Sequence, residues 1–185
     1  MKMQRWPMGL YHQFQRNMRD KRGSSSLLFG LLFLIPLFIF SVWLIESKYL
    51  YTTKAIADDA VVAAGLAALK SANPYDAAYG EYHLDPSAAR NTFNQYLKAN
   101  MKLDDGYRPL HGSVAAGTVR IDEFIVYNPG DYPTVCPRGV PINRTSIHVV
   151  VRFQVKRPAL RGLFGSLTNM TIHRDLDNFY VLEEE

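Results

Sequence analysis

The chain has 185 residues and one cysteine, Cys136, which excludes an intramolecular disulfide; any exported domain must rest on an ordinary core, with Cys136 read as a small apolar residue in a loop. The net charge of +4 is unevenly spread: residues 1–23 carry Lys2, Arg5, Arg16, Arg19, Lys21 and Arg22 against Asp20, a net +5, while the 15 basic and 16 acidic residues of 46–185 leave −1. The calculated pI near 9.2 is thus a property of the first 23 residues and does not argue for a nucleic-acid partner.

Residues 1–23 form a basic arm. Trp6, Leu10, Phe14 and Met18 recur every four positions, which suits a helix lying on an anionic membrane surface. A disordered basic tail fits the same residues equally well.

Residues 24–45 read as a transmembrane helix. Of the 19 residues from Leu27 to Ile45, 15 are Leu, Ile, Phe or Val. As a helix they span about 28 Å, close to the hydrocarbon thickness of a bilayer. A secretory h-region is usually about 7–15 residues, so the segment is expected to stay in the membrane. Pro36 can kink the span without preventing it. The basic arm places the N-terminal side in the cytoplasm and everything after Ile45 outside it.

Residues 46–74 continue the helical pattern with an Ala-rich run that stops at Asn73-Pro74. Tyr49, Ile56, Ala60, Ala63, Ala64 and Ala67 are expected on its apolar side. Ala60, Ala63, Ala64 and Ala67 are small enough for close approach of another helix, and Gly65 suggests a neighbouring backbone. Asp58-Asp59 interrupts this run and reads as a solvated stripe, or else as a polar contact between subunits.

Residues 75–185 form an extracytoplasmic α+β domain. Asp85-Pro86 starts a helix, with Asp85 as N-cap, that turns Ala89, Phe93, Tyr96, Leu97 and Met101 to a core. Thr118–Asn128 and Ser146–Lys156 read as strands; the second alternates Ile147, Val149, Val151, Phe153 and Val155 against polar residues. A third strand, Asn169–Glu183, is expected to bend near Asp175–Asn178. The proline-rich stretch 128–143 is too long for a simple hairpin and reads as functional or as a packed excursion. The connection 157–167 carries an apolar tip at Leu160, Leu163 and Phe164.

Catalytic patterns are absent. His12, His83, His111, His148 and His173 show no zinc-ligand spacing, and there is no nucleophile elbow or phosphate-binding glycine loop. His148 and His173 can meet across adjacent strands and read as exposed residues of a polar sheet face. Asp122-Glu123 are strand neighbours, expected on opposite faces. The chain is read as no enzyme, with no catalytic, cofactor-binding or metal residues, no cofactor, and no small-molecule substrate.

The arrangement resembles the TadE/TadG-like pseudopilin family of the bacterial tight-adherence (Flp) pilus system. The residues that carry it are Arg22-Gly23, the apolar run Ser24 to Ile45, Glu46, "AIADDAVVAAGLAAL" at 55–69, and the tail with "HVVVRFQV" and "RPALRGLFG". The resemblance implies a pilin-like fold: a transmembrane helix continuing into a long amphipathic helix, packed with a short helix on a small antiparallel sheet. It implies a single-pass protein of the cytoplasmic membrane, a pseudopilin-like subunit or assembly factor of a pilus or related secretion filament. Its partners would be other pilin-like subunits and the lipid bilayer. Gly23 and Ser24 stand at the family's processing junction, but the fifth residue beyond Gly23 is Leu28 where family members have Glu, which argues against cleavage. A membrane-tethered binding or sensory module is the alternative reading.

Overall fold

The structure, a computed structural model, describes residues 21–71 and 83–177. The arm up to residue 20, the connection 72–82 and the tail from residue 178 lie outside the described residues. The chain divides after Ile45 into two units.

The first unit holds the start of helix α1 (Lys21–Leu69), with Gly23 and Ser24 in its opening turn and Pro36 inside it. Leu27, Phe29, Phe33 and Phe38 are 70–76% exposed, and among the described residues the apolar window is unburied. Among the described residues α1 is the one helix long and apolar enough to cross a membrane.

The second unit, from Glu46, begins with the rest of α1 and adds α2 (Pro86–Met101), β1 (Arg120–Tyr127), β2 (Thr134–Val135), β3 (Pro141–Ile142), β4 (Ser146–Lys156), the short α3 (Arg161–Phe164) and β5 (Leu167–Asp177). The mixed α and β composition expected from the sequence is found. β1, β4 and β5 form an antiparallel sheet in the order β1-β4-β5, and β2 pairs with β3 in a separate two-stranded hairpin. Residues 46–69 belong to the same core as the strands, so the Ala-rich segment is part of the domain.

That core lies on one face of the sheet. Ile147, Val149, Val151, Phe153 and Val155 of β4 are buried against Ala57, Ala60, Val61, Ala64 and Ala68 of α1 and against Phe93 and Leu97 of α2. The inward stripe of α1 runs 53, 57, 60/61, 64, 68, the three-and-four spacing of one helical face. Tyr49 and Ile56 were expected on it but are 44% and 49% exposed, because the stripe is turned by one position. In α2 the buried row is Ala89, Phe93, Leu97 and Met101, and Tyr96 lies beside that row at 47% exposure, against the expectation. Asp85 caps α2 as its sequence predicts, its Oδ1 accepting from the Ser87 N–H at 2.7 Å and the Ala88 N–H at 3.4 Å.

β5 pairs with β4 without interruption through Asp177, so no bulge or bend falls within Asp175–Asp177, and the rest of the expected strand lies outside the described residues. The irregularity sits in β1 instead, a one-residue bulge between Ile121 and Glu123. The stretch between β1 and β4 is a packed excursion that contains the β2–β3 hairpin and folds over the sheet face opposite the helices. The connection from β4 to β5 is held on Glu46, which is buried: its Oε2 accepts from the Leu160 N–H, and its Oε1 lies 3.9 Å from Arg157 Nε. Leu163 and Phe164 of this connection remain exposed.

Asn128, at the end of β1, ties the strand layer to the start of α2. Its Oδ1 accepts from the Leu84 N–H at 2.8 Å and its Nδ2 donates to the Leu84 carbonyl at 2.9 Å, both buried. Asn128→Ala leaves a buried donor and a buried acceptor unpaired, each costing about 1–3 kcal/mol. The expected result is a loss of roughly 2 kcal/mol or more, read by denaturant unfolding of the detergent-solubilised chain; Asn128→Asp, which keeps the shape and loses the donor, should fall in the same range.

Candidate functional site

The face of the sheet away from the helices carries the unusual chemistry. On β4 the even-numbered residues point to it. His148 lies between Ile125 of β1 and Asp175 of β5, and Val150 lies between Glu123 and His173. Glu123 reaches this face only because of the bulge. Ile121, two residues earlier, pairs with Val151 on the helix side; the extra residue, Asp122, shifts Glu123 to the opposite side. Asp122 and Glu123 therefore serve the same face, contrary to the expectation for strand neighbours: Asp122 pairs with Arg152 at 2.7 Å and Glu123 with His148 at 3.0 Å.

The loop between β1 and β4 closes over these residues. Cys136 follows β2 and opens the hairpin turn, with its N–H donating to the Val140 carbonyl at 2.9 Å and its carbonyl accepting from the Gly139 N–H at 2.9 Å. Gly139 adopts a φ of +86°, a left-handed conformation that glycine takes without strain. The turn aims Cys136 Sγ at the sheet, 3.5 Å from Asp175 Oδ2 and 4.0 Å from His173 Nε2. Arg138 of the same turn donates to Glu123 Oε1 at 3.0 Å.

His148 is fully buried, not exposed as the alternating pattern implies, and His173 is half-buried. His148 Nδ1 is 2.7 Å from Asp175 Oδ1 and its Nε2 is 3.0 Å from Glu123 Oε2. His173 Nε2 is 2.9 Å from Asp175 Oδ2. Ionised carboxylate oxygens only accept, so each ring nitrogen facing one presents a proton there or shares a cation with it. The hydrogen bond from His148 holds the Glu123 carboxyl below its ordinary range against partial desolvation, and Arg138 adds to the effect. Burial pushes the Tyr127 phenol upward, and the nearby Asp175 carboxylate adds to that. One ligand-type atom from each of Cys136, His148, His173 and Asp175 lies within 4.8 Å of the other three.

Sequence reasoning passed over this cluster. Its two-strand half was accessible: His173 and Asp175 are two apart on one strand and so share a face, opposite His148. The bulge that brings Glu123 and the loop path that brings Cys136 leave no short-range signal. His83 and His111 are exposed and stand apart from it.

The residues singled out on α1 separate. Ala60 and Ala64 are buried in the domain's own core, Ala67 is half-buried and Ala63 is exposed. The first two therefore pack on this chain's own core, not on another subunit. Gly65 meets no foreign backbone either; a Cβ there would collide with Leu176 Cδ1 of β5. Asp58 also has an internal partner, a two-pronged pair with Arg174 of β5, while Asp59 is exposed.

Gly65→Ala should gain about 1 kcal/mol of helix propensity but displace Leu176. We expect it to lower the melting temperature in the native background and to raise it in a Leu176→Ala background, with a coupling larger than the roughly 1 kcal/mol propensity gain in a double-mutant cycle. Additive effects would show that the two residues do not constrain each other.

No protein-family model matches this chain, and neither a curated protein nor a solved structure shows significant similarity to it.

Proposed function

We propose that the chain is a single-pass, membrane-anchored subunit or assembly factor, pseudopilin-like, of a Tad/Flp-type pilus or related secretion filament, acting by protein–protein packing. The observation that carries this reading is that one helix, α1, supplies both the apolar segment and the central helix of the following domain. A simple tether has no need to donate its own turns to the domain core. The basic arm orients the span with its N-terminal side in the cytoplasm and the domain outside. The lipid bilayer is the first partner, met by the apolar segment of α1.

With Ala60 and Ala64 turned inward, the surface of α1 open to another subunit is the opposite one. Tyr51, Ile56, Ala63 and Leu66 are exposed there in helical spacing. The alternative, a tethered binding or sensory module, needs the same helix for its fold, so deleting α1 does not separate the two. Contact from the outward face does.

A photo-crosslinking residue at Ile56 or Ala63, in cells, should trap a neighbouring envelope subunit, and one at Ala64 should not. Products absent from both outward positions would favour the tethered module. A reporter active only outside the cytoplasm, fused after Glu185, should be active; activity of a cytoplasm-only reporter there would reverse the topology. With Leu28 where processed relatives carry Glu, intact mass of the extracted protein should show no chain beginning at Ser24.

A further inference from the structure

We propose that Cys136, His148, His173 and Asp175 bind one divalent cation of the zinc class, a structural centre in which Glu123 orients His148 from outside. The donor geometry is close to what such an ion requires. Tetrahedral zinc with Zn–S near 2.3 Å and Zn–N or Zn–O near 2.0–2.2 Å has ligand–ligand edges of about 3.3–3.6 Å. The edges among Cys136 Sγ, His173 Nε2 and Asp175 Oδ2 are 4.0, 3.5 and 2.9 Å, bracketing that range. His148 Nδ1 completes the set within 4.8 Å of the others. Small rotations of the His173 and Asp175 side chains equalise the edges.

The surroundings match as well. A ligating histidine characteristically gives its other ring N–H to a carboxylate, which fixes the tautomer and the ring plane. Glu123 stands at 3.0 Å from His148 Nε2 in that position, leaving Nδ1 to face the cluster. The Val140 N–H donates to Cys136 Sγ at 3.4 Å and helps fix the direction of the sulfur. One thiolate and one carboxylate balance a divalent charge, so a buried centre would be neutral. The sulfur and imidazole donors point away from calcium and magnesium, which take oxygen ligands. Four protein ligands, with His148 fully buried, leave no open position of the kind a catalytic zinc keeps. On binding, the protons of the thiol and of the ring nitrogens facing the cluster pass to solvent, so affinity falls as pH falls. A cleft of about 190 Å³ lies beside the cluster and shares Asp175 with it.

The consequence is mechanical. Cys136 belongs to the hairpin, whereas His148, His173 and Asp175 belong to the sheet. An ion shared among them staples the excursion to the sheet in a domain whose single cysteine cannot form a disulfide.

The test uses the full chain in detergent micelles, with Co²⁺ as the optical probe and Zn²⁺ as competitor. We expect one Co²⁺ per chain, a sulfur-to-cobalt charge-transfer band with tetrahedral visible absorption, displacement by Zn²⁺, and a melting temperature raised by Zn²⁺ and restored by EDTA. Cys136→Ser should abolish the charge-transfer band. His173→Ala, at a half-buried position that tolerates truncation, should weaken binding at least as much as the roughly 10–100-fold expected for the outer-partner variant Glu123→Gln, which should keep the band. Three results overturn the proposal: no charge-transfer band at any Co²⁺ concentration with a melting temperature indifferent to Zn²⁺ and EDTA; binding unchanged in both Cys136→Ser and His173→Ala, which places the ion elsewhere; or an octahedral cobalt spectrum lacking a sulfur contribution. The first would make the cluster a hydrogen-bonded charge network.

Discussion

The central strand of the three-stranded sheet is buried on both faces from Ser146 to Val151, and among the described residues two helices of useful length, α1 and α2, are available to cover it. That constraint governs the domain. α1 and α2 occupy one face, where β4 presents Ile147, Val149, Val151, Phe153 and Val155. Among the described residues no helix lies on the other face, and its Ser146–Val150 end is covered by the excursion between β1 and β4. A loop brings backbone and polar groups with it, so whatever lies beneath must be polar and satisfied. His148, with a carboxylate on each ring nitrogen, is such a group. The remainder of that face, at Arg152, Gln154 and Lys156, is not enclosed and reads as an ordinary solvated surface.

Small residues resolve the opposite problem on the helix side. A helix lying on a twisted sheet can come close only where its side chains are short, and the inward stripe of α1 is Ala57, Ala60, Ala64 and Ala68 with Gly65 beside it. The residue Gly65 makes way for is Leu176, on the edge strand β5. The Asp58–Arg174 pair fixes the same approach one helical stretch earlier. Ala composition in such a segment thus has two physical readings, contact with the chain's own sheet or contact with another molecule, and the two differ by one position of helical phase.

This phase marks how far the sequence could be read. The long apolar helix, the cap at Asp85 and the β4 boundaries rest on local rules, and local rules found them. Tyr49, Ile56 and Tyr96 were misplaced because a helix rich in Ala has several nearly equivalent apolar stripes, and tertiary packing chooses among them. The two-strand alignment of His148 with Asp175 was within reach once antiparallel pairing was assumed. The burial of His148 was not, because alternation reports what one strand offers and not what a distant loop lays over it. Glu123 was hidden by a single inserted residue, since one step of register reverses every side chain that follows.

The pairing of α1 with β5 also sets an order of events. Asp58 and Arg174 are 116 positions apart, so the first element of the domain waits for the last before its inner face is covered. Contacts of such long sequence separation form slowly and only after large loop-closure entropy has been met. A chain made from its N-terminal end therefore holds an incomplete core until β5 has arrived, with the edge of β4 unpaired in the meantime. The Ala stripe makes that wait tolerable, because it exposes less apolar area than a Leu-rich face would. Completion of the domain thus reports that the chain has been delivered through its final strand.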